Sequence, residues 1–114
     1  MKPAAVFSML GICQRAKKLI SGQENVSKAC ALGKVSLVIL AEDTSDNTVK
    51  KVRNLCTRKG IPFFSWGYSK DLGRAIGKDQ RKVIGITDSG IAKEIIKRLN
   101  LLMGVGDIDE TTRI

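Results

Sequence analysis

Apolar residues in this chain recur in two rhythms, every three or four residues in some stretches and consecutively in others. Residues 4–16 set Val6, Met9, Leu10, Cys13 and Ala16 on one helical face, with Pro3 in a first-turn position where its missing N–H costs nothing. Lys17 and Lys18 precede a short apolar pair, Leu19 and Ile20, and Ser21 and Gly22 break the chain. Residues 24–32 predict a second helix with Val26, Ala29, Cys30 and Leu32 inward, ended by Gly33 as a left-handed cap. The unbroken apolar run 36–41 marks a strand covered on both faces. A polar stretch, 42–46, then supplies an N-cap for a helix over 47–59, which repeats Val49, Val52, Leu55 and Cys56 and stops at Gly60. Residues 61–66 and 83–87 are two more strands. Ser69 is the expected cap of a short helix, 70–76, and Asp88 and Ser89 cap a last one that turns Ile91, Ala92, Ile95, Ile96 and Leu99 inward.

The predicted order is α-β-α-β-α-β-α-β-α. Such alternation argues for an α/β fold, a three-layer α-β-α sandwich around a central, largely parallel sheet. The pattern fills residues 1–103 as one domain; from Gly104 to Ile114 it lapses into acids and little periodicity, which predicts a mobile tail.

Charge changes the picture from fold to partner. Twenty Lys and Arg face eleven Asp and Glu. Three of the acids, Asp107, Asp109 and Glu110, fall in the last eight residues beside one base, so residues 1–106 hold 19 bases against 8 acids. A compact domain with that balance attracts polyanions, nucleic acid first among them. No stretch approaches the roughly 20 apolar residues of a membrane span, and the start lacks a cleavable leader, so a cytoplasmic protein is expected.

Catalytic chemistry finds little purchase. The chain has no His, no paired carboxylates stand out, and Asp43, Asp46 and Asp88 read as turn and cap residues. Gly73, Gly77 and Gly85 match the spacing of neither phosphate-binding glycine motif. Cys13, Cys30 and Cys56 are widely spaced among apolar residues, which predicts buried free thiols rather than a metal site. No cofactor, no metal and no enzymatic activity are expected.

One segment stands apart. Arg15, Lys17 and Lys18 lead to the glycine turn at Gly22 and then to a helix start bearing Gln23, Glu24 and Asn25, with Lys28 one turn along. Unpaired N–H groups and the helix dipole suit a phosphate there, and the three polar side chains can reach base edges. An acid at Glu24 has two readings, a partner for the helix dipole or an acceptor for guanine N–H groups.

Four ordered blocks carry a resemblance: GQENVSKA at 22–29, GKVSLVILAED at 33–43, CTRKGIP at 56–62 and SKDLGRAIG at 69–77. Over residues 4–99 the chain resembles the kink-turn RNA-binding superfamily of archaeal and eukaryotic large-subunit ribosomal proteins, most closely its bacterial YlxQ branch. The resemblance implies a mixed four-stranded sheet between helical layers. It also implies recognition of an RNA internal loop with tandem sheared G·A pairs, without catalysis. Matched by position, the implied RNA surface is Gly22, Glu24, Asn25 and Lys28, then Ser45 and Val49, then Lys70 and the loop from Lys78 through Arg81 and Lys82 to Val83. The family's usual dipeptide at 24–25 is Asn then Glu, the reverse of the order here. The loop 78–83 is more charged than its archaeal counterpart, which favours phosphate contacts by Arg81 and Lys82. The expected protein is a monomer that binds structured RNA, ribosomal or translation-associated. The alternative is a protein-interaction module docking a translation or RNA-processing factor through its basic face and the aromatic stretch 62–68.

Overall fold

The computed structural model describes residues 3–104; apart from Gly104, the tail expected over 104–114 lies outside the described residues. The elements are α1 (Pro3–Arg15), β1 (Leu19–Ser21), α2 (Gln23–Ala31), β2 (Leu37–Leu40), α3 (Asp46–Lys59), β3 (Phe63–Ser65), α4 (Ser69–Ala75), β4 (Val83–Ile86) and α5 (Ser89–Leu102). Their order is the one the hydrophobic rhythm predicts.

The four strands form one sheet in the order β1-β4-β2-β3. Only β2 and β3 run parallel; β4 is antiparallel to both of its neighbours, β1 and β2. The sheet is therefore mixed, as the resemblance implies, and the largely parallel sheet read from alternation alone is corrected. Alternation gives the identity of the elements but not the direction in which a strand enters. Here the chain leaves α4, turns back through residues 77–82, and threads β4 between β1 and β2 in the opposite sense.

Period-two alternation in the two central strands divides the core. Leu37, Ile39, Ile84 and Ile86 face α1, α4 and α5 through Val6, Leu10, Cys13, Leu72, Ile76, Ala92, Ile95 and Leu99. Val38, Leu40 and Val83 face α2 and α3 through Val26, Ala29, Cys30, Val52 and Cys56. Each of the larger buried side chains contributes about 1.5–3 kcal/mol by leaving water. Leu32, expected inward, is instead 69% exposed, because α2 ends one residue earlier and Leu32 is its C-cap. Gly33 follows with φ 74°, and Lys34 N–H reaches back to Ala29 C=O at 3.0 Å, which completes the left-handed cap.

All three cysteines are buried free thiols. Burial raises each thiol's pKa; at Cys56, beside Cys30, it is pushed up to about 12. Thiolate chemistry is thereby suppressed.

Candidate nucleic-acid interface

The mixed sheet decides which loops meet. Because β4 opposes β1 and β2, its first residues lie beside their last: Ser21 pairs with Ile84 and Leu40 with Val83. The parallel partner β3 ends at the same place, with Ser65 beside Leu40. The turn into α2, the loop into α3, the loop into α4 and the loop into β4 thus share one end of the sheet. A parallel β4 would have sent its leading loop to the other end.

At this end the start of α2 is held by bonds both near and far in sequence. Gly22 turns the chain with φ 98°, a value side chains resist, and its N–H donates to Val83 C=O at 2.9 Å. Gly22, the N-cap, has no side chain to bond the first turn of α2. Asn25 Nδ2 donates to Ser21 C=O at 3.2 Å, and Thr48 Oγ1 donates to Gln23 Oε1 at 3.4 Å, which ties α2 to the start of α3. Gln23, Glu24, Asn25 and Lys28 are all exposed. The depth of α2 is set from below: a Cβ at Gly85 would lie 3.2 Å from Val26 Cγ1, so the helix rests on a strand position that only glycine leaves bare.

Ser45 is the N-cap of α3, accepting from Thr48 N–H at 3.3 Å, and half-buried Val49 packs against the core one turn on. Across the sheet end the loop 77–82 is seated on α4 by contacts far apart in sequence. Asp43 Oδ1 accepts from Ser69 N–H at 2.8 Å and Asp43 Oδ2 from the Ser69 hydroxyl at 2.6 Å. Ser69 Oγ also lies 3.2 Å from the side-chain amide of Gln80, a contact satisfied when the amide turns to donate its NH2. Arg81 N–H donates to Ser69 C=O at 2.9 Å. The two hydrogen bonds from Ser69, side chain first, hold the Asp43 carboxyl below its ordinary value of 3.8. Gly73 completes the seat. A Cβ there would sit 1.4 Å from Asp79 C=O, so loop backbone occupies the space a side chain would need.

Ser69 is therefore not the expected cap of α4: Tyr68 holds the N-cap position, and the Ser69 side chain is engaged by Asp43. The loop so held presents Lys78 and Lys82, both exposed, and half-exposed Arg81, whose Nε lies 3.3 Å from Ser21 Oγ. Lys70, Arg74 and Lys78 rim a cleft of about 540 Å³ with Gly77, Asp79 and Gln80.

Of the sequence-predicted positions, Gly22, Gln23, Glu24, Asn25, Ser45, Val49, Lys70, Lys78, Arg81 and Lys82 gather at this end, and Lys28 stands exposed in the last turn of α2. Three do not fit as expected. Lys17 and Lys18 precede β1 and lie at the opposite end of the sheet, where Lys18 C=O accepts from Thr87 N–H and Lys17 borders Ser36, Thr87 and Ser89. Val83 is at the right end, but its side chain is 1% exposed in the core. Turning it out would forfeit about 1.5–3 kcal/mol, so its part is the carbonyl that anchors Gly22.

Sequence reasoning missed Asp43, Ser69, Gly73 and Gly85 as parts of the site. Gly73 had a signal: a glycine inside a helix costs about 1 kcal/mol and asks for a packing reason.

The aromatic stretch offered to a protein partner is mostly used internally. Phe64 is buried, Phe63 packs against the core, and Trp66 meets Phe7 at a ring separation of 4.8 Å; of the four, Tyr68 alone is well exposed, at 56%.

The model of the ribosomal protein L7Ae/L30e/S12e/Gadd45 family matches residues 4–96. The chain belongs to this family. Within it, the chain is 39% identical over 94 residues to a Bacillus subtilis protein named RNA-binding protein YlxQ, covering 82% of this chain and 94% of that protein. It is 28% identical to the large ribosomal subunit protein eL8 of Cenarchaeum symbiosum, covering 82% and 75%. Among solved structures, a Bacillus halodurans family relative described as of unknown function superposes with a TM-score of 0.80 at 42% identity, covering 82% of this chain and 94% of that one. A Giardia lamblia 15.5kD RNA binding protein shares the fold with a TM-score of 0.75 at 24% identity, covering 87% and 88%. As a YlxQ-like member of the L7Ae family, the chain presents the loops described above at one end of its sheet.

Proposed function

We propose that this protein is a non-catalytic RNA-binding module that recognises a kink-turn with tandem sheared G·A pairs. The reading rests chiefly on the convergence of the α2 start, the α3 cap and the loop 78–82 at one end of the mixed sheet. Exposed amide and carboxylate groups at Gln23, Glu24 and Asn25 share a helix with Lys28 and a sheet end with the cations of the loop, so base edges and phosphates can be met together. Such a surface suits RNA, in which unpaired and sheared bases offer edges that a regular A-form duplex hides. The names of the Bacillus subtilis and Cenarchaeum symbiosum relatives support RNA as the ligand and the ribosome or translation as its setting. The protein acts as a monomer in the cytoplasm, and among the described residues no helix is long and apolar enough to cross a membrane.

Titration against a kink-turn RNA and a fully paired duplex of equal length, at about 150 mM salt, tests the reading. Tighter binding of the kink-turn is expected. Equal affinities would remove the kink-turn and leave a general attraction to RNA.

A further inference from the structure

We propose that the outer face of α3 is a second RNA-contacting surface, one that grips the phosphate backbone of the helical stem leaving the kink. This rests on the RNA-binding reading above and extends it along the molecule. The helix carries Lys50, Lys51, Arg53, Arg58 and Lys59 against a single acid, Asp46, and all six are exposed. Its inward side is Val52 and Cys56, flanked by half-buried Val49 and Leu55. At 100° per residue, Lys50, Lys51, Arg53 and Arg58 fall on the opposite arc.

The helix α5 is the natural contrast. It has the same length, and its Glu94 lies 3.6 Å from Arg98, one turn away. On α3, among the described residues, none of the five cations has a carboxylate within 4 Å. Lys50 and Arg53, three residues apart, repel one another and weaken the helix that carries them. A concentrated charge without internal compensation is matched by an external polyanion.

Position names the polyanion. The first turn of α3 belongs to the candidate interface: Ser45 caps it, and Thr48 is bonded to Gln23 at the start of α2. From there the helix runs about 21 Å away from that end of the sheet, and Lys50, Arg53 and Arg58 stand at axial steps of about 4.5 and 7.5 Å. Beside the first of them, Asn47, Val49, Lys50 and Arg53 border a cleft of about 400 Å³ with Asp46. An RNA held at the sheet end has its own stem within reach of these cations. Such contacts carry no base information and act through counterion release.

The test compares the intact protein with a Lys50→Ala, Arg53→Ala, Arg58→Ala variant. Both are titrated over a range of salt against two RNAs with the same kink-turn, one with flanking stems of about 4 base pairs and one with about 12. Exposed changes to Ala, the best helix former, leave the fold intact, and circular dichroism and the melting temperature verify this. The wild type is expected to bind the long-stemmed RNA with a salt slope steeper by about 2–3 units, each duplex phosphate counting about 0.9. The variant loses that increment and binds the short-stemmed RNA as the wild type does. A variant that weakens both RNAs equally, or neither, overturns the stem contact. So does a wild type that prefers the kink-turn over plain duplex but gains nothing from the longer stem; in that case the reading of the sheet end survives. A wild type with no preference for the kink-turn takes down both.

Discussion

The start of α2 and the loop ahead of β4 lie side by side at one end of the sheet, joined by Arg81 Nε beside Ser21 Oγ, yet they are held by different means. The α2 start combines local geometry, the Gly22 turn and the bond from Asn25 to Ser21 four residues back, with two distant bonds, Gly22 to Val83 and Thr48 to Gln23. The loop depends on residues remote from it in sequence: Asp43 after β2, Ser69 at the start of α4, and the bare backbone of Gly73. The half proposed to meet base edges is thus part local, and the half proposed to hold phosphates is assembled by tertiary contacts. Damage to the fold should therefore fall unevenly on the two kinds of RNA contact.

The largest separation is expected from Gly73→Ala. Its Cβ has no space beside Asp79 C=O, so the loop must lift or the helix shift, at about 1–3 kcal/mol of stability by analogy with overpacked cores. RNA affinity should fall with the displaced Lys78, Arg81 and Lys82, while the preference for sheared G·A over C·G pairs stays. Denaturant unfolding and titration against both RNAs measure the two effects. Gly85→Ala is the mirror experiment on the α2 half. Its Cβ meets Val26 Cγ1 at 3.2 Å, and a β-branched neighbour yields poorly, so about 1 kcal/mol of stability is expected to go together with base discrimination rather than salt slope.

These two glycines also show where the sequence stopped being informative. The helical faces, the buried run 37–40 and the caps at Gly33 and Gly60 follow from spacing and turn chemistry, and they could be read directly. Strand direction could not, since parallel and antiparallel strands share one side-chain period. The mixed sheet and the meeting of loops came from the resemblance alone, and their cause is the antiparallel entry of β4, which brings residues 78–82 to Gly22. Lys17 and Lys18 looked like part of the interface because they are near Gly22 in sequence, but a strand separates its two ends in space. Val83 looked accessible as the end of a loop, and proved to be the first core residue of β4. The α2 positions were legible because the glycine turn and the helix start are adjacent in sequence; Asp43 and Ser69 were not, because no spacing rule relates positions 26 residues apart.

A smaller effect sharpens the contrast from the α2 side. Successive residues on a helix are about 100° apart, so exchanging Glu24 and Asn25 moves the carboxylate to a new place against the RNA. Glu24→Asn combined with Asn25→Glu restores the usual family order without changing net charge. Kink-turn binding is expected to tighten by about 1 kcal/mol, in the lower range of a good base contact, with the salt slope unchanged. A change in stability alone would assign Glu24 to the helix dipole.

The mildest perturbation is acid. The Asp43 carboxyl is lowered by its bonds from Ser69, so the anchoring it gives is fully present above the ordinary value of 3.8 and is lost as pH falls through the lower folded value. Hydrogen exchange at the Ser69 and Arg81 amides should quicken, relative to the intrinsic rate, below about pH 4, with the α2 amides unaffected. An Asp43→Asn variant should lack this pH dependence.

The central claim is that the α2 start reads bases while the loop holds phosphates. Titrating the wild type against one kink-turn RNA and its G·A-to-C·G variant, at several salt concentrations, tests it most directly. The account predicts that the sheared-pair RNA binds tighter by about 1–3 kcal/mol at every salt concentration, with parallel salt slopes for the two RNAs. Equal affinities, or a gap that closes as salt rises, would contradict it, because the surface would then be sensing charge alone.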